Sequence, residues 1–142
     1  MGKNCIFCKI LAGELSASMV YQDDEVSAFM DIQPVNAGHI LVIPNIHTPD
    51  LAGLDVTIGQ KMFSVAQRIS AAIYASDLKS EGVNLFLADG TAAGQEVFHV
   101  HLHVFPRFEG DGFGLAFNPD YFTLPPREAL DANAKKLRTL LA

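Results

Sequence analysis

The chain has 142 residues, of which 49% are apolar and 18% are charged. A chain of this length can bury roughly two-thirds of its unfolded surface, so we expect one domain over residues 1–142, and wholesale disorder is excluded. The 16 acidic residues outnumber the 10 basic residues and give a net charge of −6. This balance, without a run of Lys and Arg, disfavours nucleic acid or an anionic membrane as a partner. Any phosphate ligand must therefore be held by a local site.

The start of the chain indicates the compartment. Lys3, Lys9 and Glu14 interrupt the early apolar stretch, so no signal peptide is expected. No apolar run approaches the roughly 18 residues of a membrane span. Two cysteines are too few for a disulfide framework. We therefore expect a soluble protein of the reducing cytoplasm, without a membrane partner.

Apolar periodicity and turn residues predict alternating helices and strands. In chain order, we expect a short helix from residue 5 closed by Gly13, strands at 19–22, 26–31 and 39–43, a helix at 55–76, and strands at 83–87 and 97–105. The long helix carries an apolar stripe at spacings of three and four: Met62, Val65, Ile69 and Ile73. Because the strands outnumber the helices and have short connections, an antiparallel α+β fold is favoured over a doubly wound parallel sheet.

The C-terminal part has a different composition. Residues 109–120 are rich in Gly and Phe and are expected to be irregular. Pro125 and Pro126 precede a predicted helix. Its stripe consists of Leu130, Ala134, Leu137 and Leu141.

Three histidines, His99, His101 and His103, alternate with apolar residues in the predicted strand 97–105. Because side chains on a strand alternate between its faces, the three rings should project from one side and the intervening apolar residues into the core. A single histidine here would most often be structural. Three in register indicate either a metal site or a reaction that uses imidazole.

Imidazole is suited to attack on phosphorus. With an unperturbed pKa near 6.5, a sizeable neutral fraction with a free lone pair exists at neutral pH. The phosphorylated imidazole that forms is reactive enough for water to cleave, and neighbouring imidazoles can donate to phosphate oxygens or protonate the leaving group. The other nitrogen of the nucleophile needs an acceptor, for which we expect a backbone carbonyl near the strand of His39.

The run His-Val-His-Leu-His-Val-Phe at 99–105 resembles the defining motif of the histidine triad (HIT) family. Segments 5–10, 38–44, 93–95 and 106–107 fit the same family, and the similarity covers about residues 4–108, leaving an irregular segment and a helix at 109–142. The resemblance implies a HIT-like fold: an antiparallel sheet of about five strands with one long and two shorter helices. It also implies a homodimer, in which the long helix and a central strand pair to form a ten-stranded sheet.

The resemblance implies an enzyme that acts at the α-phosphate of a purine nucleotide. His101 would be the nucleophile and form a covalent nucleotidyl-histidine intermediate, His103 would contact the phosphate, and His99 and His39 would support the site. The reaction would be hydrolysis or nucleotidyl transfer on a nucleoside phosphoramidate or a dinucleoside polyphosphate. The sequence does not choose between these substrates.

The resemblance also implies substrate-binding positions. Gln95 matches a phosphate or leaving-group contact, and Asp31 matches a ribose contact with Ile32 beside it. The positions matching the apolar base pocket are Phe7, Ile10, Leu15 and Phe29. Each has an ordinary alternative: the apolar residues can be core, Asp31 can end a strand, and Gln95 can be a loop residue.

Two positions depart from many relatives. Glu96 stands where they carry a Ser or Thr whose hydroxyl contacts the phosphate, and Ala88 stands where they carry an amide. A carboxylate at position 96 would repel phosphate unless it points away or interacts with a cation. These departures bear more on the substrate than on the reaction class.

Cys5 and Cys8 form a Cys-x-x-Cys pair. A thioredoxin-like redox pair would need a preceding strand and a βαβ pattern, which this start lacks, while two packed cysteines on a short helix remain an alternative. The resemblance implies a structural zinc bound by Cys5, Cys8, His47 and His99, a closed set of four ligands. No organic cofactor is expected.

Two other functions remain open. A non-catalytic nucleotide-binding or scaffold protein could use the same pocket, and its nucleotide affinity would survive loss of His101 without any change in rate. Alternatively, the three alternating histidines could themselves bind a metal, since residues two apart on a strand can share an ion.

Overall fold

A computed structural model describes residues 2–142 of the protein. The described elements are the helices α1 (Ile6–Leu11), α2 (Val56–Ala75) and α3 (Arg127–Leu141) and the strands β1 (Met19–Gln22), β2 (Val26–Met30), β3 (Ile40–Pro44), β4 (Gly82–Phe86) and β5 (Leu102–Arg107). The strands form one antiparallel sheet in the order β1-β2-β3-β5-β4. The predicted α+β fold, with five strands and one long and two shorter helices, is confirmed.

The described residues form two compact units that divide after Asp111. The first contains the sheet, α1 and α2. The second contains α3 and a 3-10 turn at Pro119–Phe122. The single domain expected over residues 1–142 stays a prediction. No described helix combines the length and the hydropathy that crossing a membrane requires.

The helix α2 covers one face of the sheet. It begins after Asp55, whose carboxylate accepts the N–H groups of Thr57 and Ile58 and so caps the first turn. The predicted stripe is at most 6% exposed and packs against β2, β3 and β5. The stripe is therefore confirmed as the core-facing side of α2.

The opposite face of the sheet carries a second apolar cluster and the histidines. Phe7 of α1 packs there against Phe29 of β2 and against Leu41 and Ile43 of β3. The alternation along β3 separates these residues from Ile40 and Val42, which face α2. Both faces of β2 and β3 are thus buried, which makes them a rigid support.

The predicted strand 97–105 is wrong at its start, because β5 begins only at Leu102. The ladder between β3 and β5 ends at the pair Val42 and Leu102. Further along, Pro44 has no N–H to donate, and Val100 donates its own N–H to the carbonyl of Thr48 at 2.7 Å. His99 and His101 therefore lie before the strand, His99 in a bend, and only His103 lies on it.

The predicted C-terminal helix is present as α3, but its apolar stripe is not buried. Leu130 is 40% exposed, Leu137 is 61% exposed and Leu141 is 86% exposed. The helix has a strongly one-sided sequence, yet the side chains of its stripe remain largely on the surface of the described structure.

Candidate active site and adjoining metal centre

His101 has one ring nitrogen held and the other free to react. Its Nδ1 lies 2.7 Å from the carbonyl oxygen of His99. Because a carbonyl only accepts, Nδ1 carries the proton and Nε2 carries the lone pair. A backbone carbonyl thus holds this ring as predicted, but the expected source is wrong: the carbonyl belongs to the residue two positions earlier, and not to the strand of His39.

Val35, His39 and His103 form a chain of hydrogen bonds, which we call the relay, and its directions fix which nitrogen of each ring carries the proton. The N–H of Val35 donates to Nδ1 of His39 at 3.0 Å, so the proton of neutral His39 lies on Nε2. That N–H donates to Nδ1 of His103 at 2.9 Å. Nδ1 of His103 is therefore an acceptor, and the proton of neutral His103 lies on Nε2.

Burial keeps the relay uncharged. Burial lowers the pKa of His103 to about 4, assisted by the charges that His101 and His39 would carry. Burial also lowers the pKa of His39, although Asp31 opposes the shift with a carboxylate oxygen 3.5 Å from Nε2. Both rings are therefore neutral at pH 7, as the tautomer assignment requires.

The rings of His101 and His103 are adjacent. The ring centroids of His101 and His103 lie 4.9 Å apart in an edge-to-face arrangement. His101 offers a lone pair on Nε2, and His103 offers an N–H donor on Nε2. A nucleophile beside a neutral hydrogen-bond donor is the combination that attack on a phosphate requires.

The four predicted metal-ligating residues are brought together, with Cys5, Cys8, His47 and His99 offering ligand atoms within 4.8 Å of one another. Nδ1 of His99 lies 3.5 Å from the sulfur of Cys5 and 3.7 Å from that of Cys8, and Nδ1 of His47 lies 3.3 Å from the sulfur of Cys8. With Zn–S near 2.3 Å and Zn–N near 2.0 Å, tetrahedral S···N separations are about 3.5 Å. The donor set fits a tetrahedral zinc ion.

The tautomer of His99 also suits a metal. Its Nε2 donates to the carbonyl of Pro44 at 2.8 Å, which leaves the lone pair on Nδ1 facing the two cysteines. Metal-binding histidines commonly donate their second nitrogen to such a carbonyl, which fixes the orientation of the ring. Burial lowers the pKa of His99, which keeps the ring neutral.

His99 connects the two clusters. Its ring contacts that of His47, with centroids 5.2 Å apart, while its carbonyl holds His101. The prediction that the three rings project from one side agrees with the ring contacts, because Phe7 contacts the rings of both His99 and His101, and the ring of His101 contacts that of His103. The ring of His99 lies at the end of this row that is nearest to the sulfurs of Cys5 and Cys8.

Comparison with known proteins identifies the family. The model of the HIT domain family matches residues 12–110. This chain belongs to the HIT family. A HIT-like protein of Borreliella burgdorferi is 46% identical over 113 residues, which are 79% of this chain and 81% of that protein. An Arabidopsis thaliana protein named adenylylsulfatase HINT3 is 39% identical over 108 residues, 76% of this chain and 54% of that protein.

Solved structures share the fold of this HIT protein. A HIT family protein of Bacillus anthracis superposes with a TM-score of 0.88 at 41% identity and covers 98% of both chains. A zinc-bound histidine triad protein of Mycobacterium smegmatis has a TM-score of 0.75 at 42% identity, over 82% of this chain and 84% of that chain.

The predicted base-pocket residues of the HIT protein differ in burial. Phe7 and Phe29 are 6% and 3% exposed and belong to the apolar cluster beneath the histidines, with Ile10 packed against it. Leu15 is 42% exposed and Ile32 is 96% exposed. The structure thus gives Phe7 and Phe29 a core role, and contact of this set with a base stays a prediction.

The amide of Gln95 makes three hydrogen bonds, all of them to backbone groups. Its Oε1 accepts the N–H of Gly90 at 2.7 Å, and its Nε2 donates to the carbonyls of Pro49 and Val97 at 2.8 and 3.2 Å. Gln95 therefore closes the loop before the histidines. Its contact with a phosphate or leaving group stays a prediction.

The two departures from the family pattern lie in different surroundings. Ala88 is 5% exposed and buried. Glu96 is exposed and lines a groove of about 400 Å³ together with Cys5 and His47. The carboxylate thus lies on the side of the candidate metal ligands.

Sequence reasoning missed the groups that set the tautomers. The N–H of Val35 and the carbonyls of Pro44 and His99 decide which nitrogens of three rings are protonated. These are backbone atoms, so no residue type signals them. Pro44 gave an indirect signal, since a proline cannot donate to a neighbouring strand and is therefore typical of a strand end or edge.

Proposed function

We propose that this HIT protein is a nucleotide hydrolase or nucleotidyl transferase that attacks the α-phosphate of a purine nucleotide through His101. Its substrate is a nucleoside phosphoramidate or a dinucleoside polyphosphate. The observation that carries the proposal is the bond from Nδ1 of His101 to the carbonyl of His99, which leaves Nε2 as a free lone pair beside His103. The similarity to a protein named adenylylsulfatase supports hydrolysis at a nucleotide phosphate.

In the first step, Nε2 of His101 attacks the α-phosphorus. A nitrogen–phosphorus bond forms, and the bond to the leaving group breaks. The leaving amine or nucleotide departs with the bonding electron pair, and an amine takes up a proton from solvent. The ring becomes cationic, and the carbonyl of His99 stabilises it because Nδ1 is still the donor. The Nε2–H of His103 donates to a phosphate oxygen.

In the second step, water or another acceptor attacks the phosphorus of the nucleotidyl-histidine. The nitrogen–phosphorus bond breaks, its electron pair returns to Nε2 of His101, and the water gives up a proton to solvent. His39 acts only through His103, whose tautomer it fixes. These steps require no organic cofactor.

A trapping experiment tests the nucleophile. Labelled adenosine 5′-phosphoramidate and labelled diadenosine polyphosphate are mixed separately with the protein and quenched under denaturing, alkaline conditions. We expect an acid-labile adduct on His101. The variant His101→Gln keeps a donor for the carbonyl of His99 but cannot attack, so it should lose the adduct and at least about 10³-fold in kcat.

Asp24→Asn, in the exposed turn between β1 and β2, is the matched control and should keep both adduct and rate. Turnover by His101→Gln at the rate of the unmodified protein would refute His101 as the nucleophile. Tight nucleotide binding without turnover of either substrate would instead favour the non-catalytic binding protein.

We also propose that Cys5, Cys8, His47 and His99 bind a structural zinc ion. The support is the tetrahedral spacing of their ligand atoms and the fixed tautomer of His99. Such an ion, with all four positions taken by protein ligands, supplies folding energy and no open position for a substrate. The similarity to a zinc-bound protein supports the choice of metal.

Finally, we propose a homodimer with a continuous ten-stranded sheet. The strand β4 is an edge of the sheet, and an edge strand exposes unpaired backbone groups to a second chain. Its Leu85 and Phe86 are 37% and 43% exposed, and Phe63 of α2 is 54% exposed. Pairing of β4 with its copy would cover these surfaces.

A further inference from the structure

The loop between β2 and β3 is fastened to the end of β5 by one side chain. Nδ2 of Asn36 donates to the carbonyl of Pro106 at 2.9 Å and to a carboxylate oxygen of Asp111 at 2.8 Å. An amide nitrogen has two hydrogens, so both donors of Asn36 are used. The loop is thereby held against the strand that carries His103.

The carboxylate that receives Asn36 is itself held firmly. Asp111 accepts Nε of Arg107 at 2.6 Å and its Nη2 at 3.0 Å, and the side chain of Asp111 is only 2% exposed. A buried carboxylate requires several partners, and this bidentate pair is the stronger kind. We call Asn36, Arg107 and Asp111 the clamp.

The loop that the clamp holds sets the proton position on His39. Val35, immediately before Asn36, donates its N–H to Nδ1 of His39. The carbonyl of Asn36 accepts the N–H of His39 at 3.1 Å, so Asn36 contacts both ends of the turn. A shift of Asn36 would move the N–H of Val35 away from the ring.

We propose that Asn36 and Asp111 are positioning residues that keep the proton of His103 on Nε2, by holding the N–H of Val35 against Nδ1 of His39. If that N–H moves away, His39 can place its own proton on Nδ1. Its bare Nε2 then accepts from Nδ1 of His103, and a lone pair on Nε2 of His103 faces the phosphate. This inference rests on the proposed function for its effect on rate, but the proton position is a property of the protein alone.

The first experiment measures proton position and rate together in Asn36→Ala. Nitrogen NMR of histidine labelled with ¹⁵N shows which nitrogen of His103 is protonated. We expect Nε2–H alone in the unmodified protein and both tautomers in Asn36→Ala. Because the donor to the phosphate is affected more than binding, kcat should fall roughly tenfold to a hundredfold, with KM within about twofold.

Asn45→Ala is the matched control. Asn45 also joins two segments through its amide, donating to the carbonyl of Asp23 and accepting the hydroxyl of Ser27, but it lies at the other end of β3. It should cost stability without changing the tautomer of His103. Equal tautomer shifts in both variants would overturn the proposal, because they would report general loosening.

A second variant removes the donor directly. Replacing Val35 by the corresponding α-hydroxy acid turns its N–H into an ester oxygen and leaves every side chain in place. We expect the same tautomer mixture as in Asn36→Ala. If His103 is protonated only on Nε2 in both of these variants, the proposal is overturned. If the unmodified protein turns over neither nucleotide, the proposed function fails, yet the NMR result still decides the role of the clamp.

Discussion

Backbone hydrogen bonds decide the chemistry of each imidazole at the site. His101 and His103 have the same side chain and lie in contact, yet one presents a lone pair and the other an N–H. The difference arises because the first ring faces a carbonyl and the second faces a ring whose own proton is directed by the N–H of Val35. The role proposed for each ring thus follows from the hydrogen-bond partner of the nitrogen that does not face the substrate.

The lowered pKa of His103 predicts how stability depends on pH. The folded protein holds this pKa at about 4, whereas an unfolded histidine titrates near 6.5. Between these values the unfolded chain binds a proton that the folded chain does not, so stability falls as the pH drops from about 6.5 to about 4 and then levels off.

Urea unfolding at several pH values tests this prediction. The variant His103→Gln lacks the titrating ring and should show a shallower fall of the unfolding free energy over the same range. Any dependence of the unfolding free energy on pH that remains in the variant arises from titratable groups other than His103. Identical slopes for both proteins would show that His103 titrates normally in the folded state.

At the scale of elements, α1 depends on its contacts. It has six residues, and Cys5, which precedes the helix at the cap position, makes no capping bond through its side chain. An isolated helix of this length is not stable in water. Phe7 and Cys8 bury one side of it, and the candidate zinc site ties it to His99.

Metal removal should therefore loosen α1 selectively. We expect about one zinc ion per chain in native protein, and faster amide hydrogen exchange in α1 after chelation, while α2 keeps its protection because its core is separate. Cys8→Ser should reproduce the effect without a chelator, and Ser16→Ala, an exposed serine after α1, should not. Metal-free native protein with both thiols free and α1 fully protected would disprove the zinc site.

At the scale of the whole molecule, the sheet has two edges of different character. β4 carries exposed Leu85 and Phe86, whereas β1 lies at the opposite edge and exposes Val20. The proposed dimer uses only the β4 edge, so the two edges offer a matched comparison.

Sedimentation measurements test the dimer. We expect the unmodified chain to sediment as a dimer and Leu85→Lys to sediment as a monomer, because a buried charge at the joined edge would be unpaired. Val20→Lys places the same charge on the other edge and should remain dimeric. A monomeric unmodified protein, or dissociation by Val20→Lys alone, would reject pairing through β4.

The sequence by itself predicted most of the elements and the candidate site residues. The stripe of α2 and the strand at 19–22 follow from local periodicity, which needs no knowledge of distant segments. The motif likewise pointed to His101 and His103, and the family resemblance pointed to the four candidate metal ligands, because residue type and order carry the chemistry. These features are properties of short stretches of chain.

Only the tertiary structure decided which ring nitrogens carry protons and which residues lie together. The carbonyl of Pro44 accepts Nε2 of His99, the Nδ1 of the same ring faces the cysteines, and the carbonyl of His99 holds His101. The proton order of His103 depends on a loop fastened by Asn36, far from it in sequence. Backbone donors and acceptors are the same at every residue, so their partners are fixed by the packing of distant segments and by no local pattern.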